Sequence, residues 1–169
     1  ILLFNPTAGR GLFPKWQVKQ LLKAFTHYGI QCEVVITQAS GISLAEATMK
    51  NKDLLIVWGG DGTFHQALPW AIEYRVPMAL LPGGTANVLA RELGIPLDWK
   101  KALRVLSHHK RQRMFLGQTT GKYFHLMAGI GLDAFVVSQV NRRAKRVLGT
   151  SAYWLTAATC LSRYPLESF

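Results

Sequence analysis

Val57-Trp58-Gly59-Gly60-Asp61-Gly62-Thr63 crowds three glycines and an acid at the end of a stretch, Asp53 to Trp58, that is apolar from Leu54 onward and reads as a buried strand. A second stretch, Leu81-Pro82-Gly83-Gly84-Thr85-Ala86-Asn87, repeats the arrangement behind the run Pro77 to Leu81. Short continuous apolar runs bounded by turn residues are the pattern of strands buried on both faces, as in parallel sheets. Each glycine stretch leads into a helical pattern: Phe64 to about Tyr74, where Pro69 is expected to introduce a kink, and a helix ending at Leu93 with Gly94 as its stop. Two strand–glycine turn–helix units in succession put both turns at the carboxyl ends of parallel strands, the edge where open α/β sheets hold ligands. Glycine lets the backbone approach an anion closely, and the free N–H groups at a helix start favour phosphate. One such turn by itself is usually just a tight turn; two on one sheet edge point to a ligand.

Working outward, Ile1 to Phe4 reads as another apolar strand, followed by the loop Asn5-Pro6-Thr7-Ala8-Gly9-Arg10-Gly11. Asn5 can close an Asx turn and Arg10 can grip a phosphate with two N–H groups. Val18, Leu21, Leu22, Phe25 and Tyr28 keep helical spacing up to Gly29, and Gln31 to Thr37 is expected as a strand. Ser43 and Glu46 have capping-box spacing for a short helix, and Asp98 is placed to cap a helix reaching about His108. The alternation predicts an α/β fold with an open parallel sheet over residues 1–112. Past that point Arg113 to Gln118 and Lys122 to Ala128 read as a hairpin around Thr119-Thr120-Gly121, with helical patterns from about Asp133 and Ser151. Residues 113–169 are thus expected to be the incomplete start of a second domain. A first residue that is Ile already inside a strand, and not Met, fits a piece of a longer chain.

Composition bounds the function. The chain has 169 residues, 49% apolar and 17% charged, enough for a real core and too apolar for disorder. Two cysteines, Cys32 and Cys160, make neither a disulfide framework nor a Cys-rich zinc site. No apolar run is long enough to span a bilayer. Twenty Lys and Arg against nine Asp and Glu give +11, a field that attracts anions. The cations cluster at Lys100, Lys101, Arg104, Lys110, Arg111 and Arg113, and again at Arg142, Arg143, Lys145 and Arg146. Such runs are as readily solvated faces as binding surfaces. None of the three loops fits GxxxxGK[ST] or the GxGxxG dinucleotide pattern, which argues against P-loop NTPases and dehydrogenases.

Gly59-Gly60-Asp61-Gly62-Thr63 resembles the GGDGT signature of the diacylglycerol kinase and sphingosine kinase catalytic-domain superfamily, shared with NAD kinases. Asn5 to Gly11 is similar to that superfamily's NPxSGxG loop, Leu81 to Asn87 to its LPxGTxN loop, and Gly129-Ile130-Gly131-Leu132-Asp133-Ala134 to the GxGxDA stretch that opens the second domain of bacterial lipid kinases. The resemblance implies a Rossmann-like or phosphofructokinase-like nucleotide domain over residues 1–112, the incomplete start of a β-rich lipid-substrate domain over 113–169, and an ATP-dependent lipid kinase that moves the γ-phosphate to a lipid hydroxyl, with Mg2+. Asn5, Gly9 and Arg10 would line the nucleotide loop, Gly59, Gly60, Asp61, Gly62 and Thr63 would surround the phosphates, and Gly84, Thr85 and Asn87 would close the other wall. Asp61 would be the catalytic and metal-binding acid, and Asp133 would face the lipid, unless it is simply a helix cap. The implied partners are ATP and a lipid presented at the cytoplasmic face of the inner membrane, with no nucleic acid; copies of the chain are expected to associate through unburied apolar faces. Ala8 stands where the family has Ser, His65-Gln66 where an acid often follows GGDGT, and Val88 where Asp is common. No Asp-Gly-Glu triplet follows Asp133, so the general base is expected beyond residue 169. The competing readings are a GGDGT kinase of the NAD kinase type with a polar acceptor and a non-catalytic nucleotide-binding module.

Overall fold

The computed structural model describes residues 1–8, 15–38, 41–42, 44, 46–108, 110–140 and 151–161. Strands β1 (Leu2–Phe4), β2 (Val34–Ile36), β3 (Leu55–Gly59) and β4 (Met78–Pro82) form one parallel sheet in the order β2-β1-β3-β4. Helices α1 (Lys15–His27), α2 (Glu46–Met49), α3 (Asp61–Glu73), α4 (Val88–Glu92) and α5 (Trp99–Ser107) connect and follow them. The open parallel α/β sheet expected from the two glycine turns is therefore what the chain forms. From β1 the chain first moves outward to β2, then returns past β1 to β3 and β4. The direction of winding reverses between β1 and β3, and that reversal opens a crevice beyond their carboxyl ends.

The central strands are buried on both faces, which explains their continuous apolar runs. Leu2, Phe4, Ile56, Trp58 and Leu81 meet Leu21 and Phe25 of α1 and Ala102 and Leu103 of α5 in one cluster. Residues of opposite parity, Leu3, Leu55 and Val57, are equally buried on the other face. There α3 packs against β3, burying Thr63, Phe64, Ala67, Leu68 and Ala71. Trp58 stacks obliquely on Phe4 at 5.0 Å and Trp99 at 5.8 Å between ring centroids, tying β1, β3 and the start of α5 together next to the glycine turn.

Several element ends differ from expectation. α3 begins at Asp61, three residues before Phe64, so the glycine stretch supplies the helix's first turn, and the helix runs through Pro69 without a break to Glu73. α4 begins only at Val88, because Asn87 takes left-handed dihedrals (φ 49°, ψ 49°) and ends the preceding turn. β2 shrinks to three residues. Asp98 caps α5 as expected, its Oδ1 accepting from the Lys101 N–H at 3.0 Å. The hairpin is shorter than expected, with β5 (Gly117–Thr119) antiparallel to β6 (Lys122–Phe124). Its turn is the pair Thr120-Gly121, both at positive φ (46° and 76°), the conformation that matches strand twist in two-residue hairpins. Ser43 of the expected capping box, the basic cluster Arg142 to Arg146 and the loop residues Gly9 and Arg10 lie outside the described residues.

By compactness the chain divides into Ile1–His125 and Leu126–Phe169, with the hairpin in the first unit. In the second unit α6 (Leu132–Gln139) packs on α7 (Ser151–Leu161). Val136 and Cys160 are buried, while Val137 and Leu155 are exposed. Among the described residues no helix is long and apolar enough to cross a membrane.

Candidate active site

Three loops leave the carboxyl edge of the sheet, and side-chain and backbone bonds hold them against one another. The loop after β1 is anchored where the Asn5 N–H donates to the Trp58 carbonyl at 3.0 Å. The Asn5 side chain closes the expected Asx turn, its Oδ1 accepting from the Thr7 N–H and hydroxyl, each at 3.0 Å. Its Nδ2 reaches across the β1–β3 crevice and donates to Thr63 Oγ1 at 2.8 Å. The turns after β3 and β4 meet directly: the Gly83 N–H donates to the Gly59 carbonyl at 2.8 Å.

Glycine is required at two of these points. A Cβ on Gly60 would lie 2.9 Å from Gly84 Cα, and one on Gly84 would overlap Gly60 Cα while lying 2.9 Å from Asn87 Oδ1. Backbone crosses backbone here, so no side chain can swing aside. Asn87 stabilises its own turn, accepting from the Gly84 N–H at 2.8 Å and donating from Nδ2 to the Gly84 carbonyl at 2.9 Å. A buried Asn with both ends of its amide satisfied costs nothing in unpaired groups, and Asn tolerates the left-handed region better than most residues.

Asp61 links the two glycine turns. Its Oδ2 accepts from the Val88 N–H and its Oδ1 from the Leu89 N–H, both at 3.1 Å, so its carboxylate caps the first turn of α4 from another helix. Val88 contributes only its N–H to this contact, which any residue but proline can do. The N-terminus of α3 is treated differently: its cap residue is Gly60, which has no side chain to satisfy it. The N–H groups of Asp61 and Gly62, in the first turn of a helix, have no acceptor within that helix. A 13-residue helix with an uncapped, glycine-bordered N-terminus facing a switch-point crevice suits an anion with several oxygens.

One neighbour was invisible in the sequence. His125, at the end of the hairpin, lies 5.1 Å from Phe64 and 5.8 Å from His65 between ring centroids. Both its ring nitrogens are buried without a partner. Burial, then the neighbouring His65, lower its pKa, with Asp61 opposing them. The ring is therefore neutral at pH 7. No spacing rule links position 125 to position 65; the hairpin folding back on α3 does so.

Of the residues expected to form the site, Asn5, Gly59, Gly60, Asp61, Gly62, Thr63, Gly84 and Asn87 lie at one sheet edge, and Thr85 is in the turn between Gly84 and Asn87. Gly9 and Arg10 are outside the described residues. Asp133 belongs to the other compact unit, as the second residue of α6. It is not the helix cap, because Gly131 holds that position at φ 69°.

An open parallel α/β sheet whose switch point is floored by glycine turns and an uncapped helix N-terminus has the architecture of the α/β domains that hold ligands at the carboxyl edge of the sheet. The chain belongs to the diacylglycerol kinase catalytic domain family, whose model matches residues 1–119. It is 32% identical over 160 residues to the diacylglycerol kinase of Bacillus subtilis (strain 168) and 28% identical over 159 residues to that of Staphylococcus carnosus (strain TM300). Each alignment covers 91% of this chain and 52% of the relative, so the chain spans about half the length of the curated relatives it matches. A crystal structure of a candidate diacylglycerol kinase from Bacillus anthracis str. Sterne superimposes with a TM-score of 0.70 at 26% identity, over 92% of this chain and 53% of that one.

Proposed function

We propose that this chain is the nucleotide-binding part of a lipid kinase that transfers the γ-phosphate of ATP to a lipid hydroxyl, of the diacylglycerol or sphingoid kind. The observation that carries this reading is the junction of Asn5, Gly60 and Gly84 at the switch point of a sheet whose family is that of diacylglycerol kinases. In this reading the phosphates lie over the N-terminus of α3. They accept from the N–H groups of Gly60, Asp61 and Gly62 on one side and of Thr85 and Ala86 on the other, while Thr63 and Asn5 hold the floor. Phosphoryl transfer is mainly positioning and charge stabilisation, so a rigid floor of N–H groups is the contribution expected of this part.

Magnesium is tested by the donors present. The described residues contain no cluster of three metal-ligating side chains. Asp61 offers one carboxylate with one lone-pair direction on each oxygen already used. A Mg2+ that keeps its waters and takes phosphate oxygens needs no more than one or two carboxylates, so Asp61 fits as its single protein contact. The ion would neutralise charge on the transferring phosphate. Asp61 itself fixes the Gly84 turn in register with α3, which makes it a positioning residue as well as an acidic one.

The acceptor lipid, in this reading, is met by residues 113–169, with Asp133 facing it, together with the part of the relatives this chain does not span; the general base lies there also. The 169 residues alone should then bind ATP weakly and phosphorylate nothing. The test is calorimetric titration of ATP with and without Mg2+, then an acceptor panel of diacylglycerol and sphingosine in detergent micelles against NAD in solution. Nucleotide binding without any acceptor turnover fits the chain alone. Turnover on NAD, or robust lipid turnover by the 169 residues, would overturn the assignment of acceptor or of the missing base.

A further inference from the structure

Residues 99–132 contain seven cations, Lys100, Lys101, Arg104, Lys110, Arg111, Arg113 and Lys122, and not one Asp or Glu. An uninterrupted run of one sign this long is not a surface balanced by local ion pairs, and among the described residues its cations take part in no salt bridge. α5 shows how the run is displayed. Ala102 and Leu103 face the core, while Lys101, Arg104, Val105 and His108, at spacings of three and four, form one exposed face. Lys100 leans over the Trp99 ring at 5.6 Å from its centroid. The chain then continues through Lys110, Arg111 and Arg113, all exposed, into Met114 and Phe115.

The apolar side chains among these cations are as informative as the charges. Phe115 is 97% exposed, Val105 49% and Met114 39%. Water-exposed apolar groups set between Lys and Arg are the pattern of a surface that enters the headgroup layer of an anionic bilayer. Position agrees. Trp99 at the start of α5 packs on Trp58, one residue before the Gly59 turn. The basic face therefore begins at the same sheet edge as the proposed phosphate floor.

We propose that the exposed face of α5 and the segment 110–115 form a docking surface for an anionic membrane, with Lys100, Lys101, Arg104, Lys110, Arg111 and Arg113 meeting headgroups and Phe115 and Met114 entering the interface. It rests on the lipid-kinase reading only for its purpose; the surface itself follows from exposure and charge. Docking here holds the phosphate floor beside the layer in which a lipid acceptor lies.

The test is sedimentation of the 169-residue chain with equimolar phosphatidylglycerol and phosphatidylcholine vesicles, and with phosphatidylcholine alone, in the absence of nucleotide and diacylglycerol. The expected result is binding to the anionic vesicles only, lost as added salt shortens the screening length. Each cation at such a surface contributes roughly fivefold in affinity, so Arg111→Glu with Arg113→Glu should weaken binding on the order of 100-fold or more. Phe115→Ser should weaken it about tenfold. Lys19→Glu with Lys23→Glu, which makes the same change in net charge on exposed positions of α1, should cost far less. Equal losses from the α1 and segment variants would mean that net charge alone drives binding, and would overturn the proposal. So would binding to uncharged vesicles, or duplex DNA bound as tightly through the same residues. A chain that binds no nucleotide yet docks on vesicles through these residues would retain the surface and lose the kinase reading.

Discussion

Replacing Gly84 by Ala puts the central contact of the site under the smallest perturbation available. The added Cβ would overlap Gly60 Cα and come within 2.9 Å of Asn87 Oδ1 and 3.3 Å of Gly60 N. Carbon atoms in contact sit about 3.5–4 Å apart, so the two turns must separate by roughly 1 Å. Overpacking of this kind costs about 1–3 kcal/mol. Relief by separation breaks the Gly83–Gly59 bond, and the Cβ itself pushes Asn87 Oδ1 off the Gly84 N–H; both bonds are 2.8 Å in the native turns and are worth about 1 kcal/mol each. Both routes lead to a loss of about 2–3 kcal/mol, or roughly 10 °C in Tm for a domain of this size. ATP affinity should fall at least tenfold, because the N–H groups on the two walls no longer converge. Gly62→Ala is the matched control. Its Cβ would meet nothing within 4 Å, and Ala is about 0.5–1 kcal/mol better than Gly in a helix, so stability should hold or rise. Thermal melts and calorimetric ATP titrations of both variants decide the matter. A Gly84→Ala protein with native Tm and native ATP affinity would refute the contact and the reasoning built on it.

Other variants probe the remaining parts. Asn5→Ala removes the bond to Thr63 and the Asx turn and should cost about 1–2 kcal/mol in chemical denaturation, with a matching loss of ATP affinity. Asp61→Asn keeps one acceptor for α4 and loses the charge; the chain should unfold within about 1–2 kcal/mol of wild type, while any phosphoryl transfer measured on a protein that carries this domain should fall at least 100-fold. His125 is held neutral by burial, so between its ordinary pKa and its lowered one the unfolded chain binds a proton that the folded chain refuses. Stability should therefore drop as pH falls from 7.5 to 5.5, and His125→Asn should flatten that slope in denaturation curves, referenced to the ordinary His value of about 6.5. The Cys32 thiol is pushed up by burial, and its alkylation at pH 8 should be slower than that of a free thiol of ordinary acidity, measured by mass spectrometry.

The fold was largely legible because its central strands, β1 and β3, are buried on both faces. Leu55 to Trp58 and Met78 to Leu81 had to be continuous apolar runs, and glycine turns at their ends had to mark the carboxyl edge. Element ends were less legible, for local reasons. Gly59 to Thr63 reads as a turn because glycine is a poor helix former, yet the first residues of a helix need only N–H groups and suitable dihedrals, so α3 starts at Asp61. α4 starts late because Asn87 is left-handed, which its neighbours do not announce. Within the site, the residues were visible and their partners were not. Asp61 bonds to backbone N–H groups 27 and 28 positions away, and a backbone donor leaves no trace in the amino-acid identities of Val88 and Leu89. The sequence alone suggests a metal-binding acid at Asp61, where the structure also shows a clamp between two turns. His125 joins the cluster across 60 positions through a hairpin whose register depends on the Thr120-Gly121 turn.

The central claim is that phosphates bind across the Gly60 and Gly84 turns. Backbone amide NMR shifts recorded on the 169-residue chain during titration with ATP and Mg2+ test it directly. The account predicts saturable shifts concentrated on the amides of Gly60, Asp61, Gly62, Gly84, Thr85 and Ala86, with the amides of β2 and of α5 past Lys101 little changed. Binding that shifts other amides and leaves these six in place, or no binding at millimolar ATP, would contradict it.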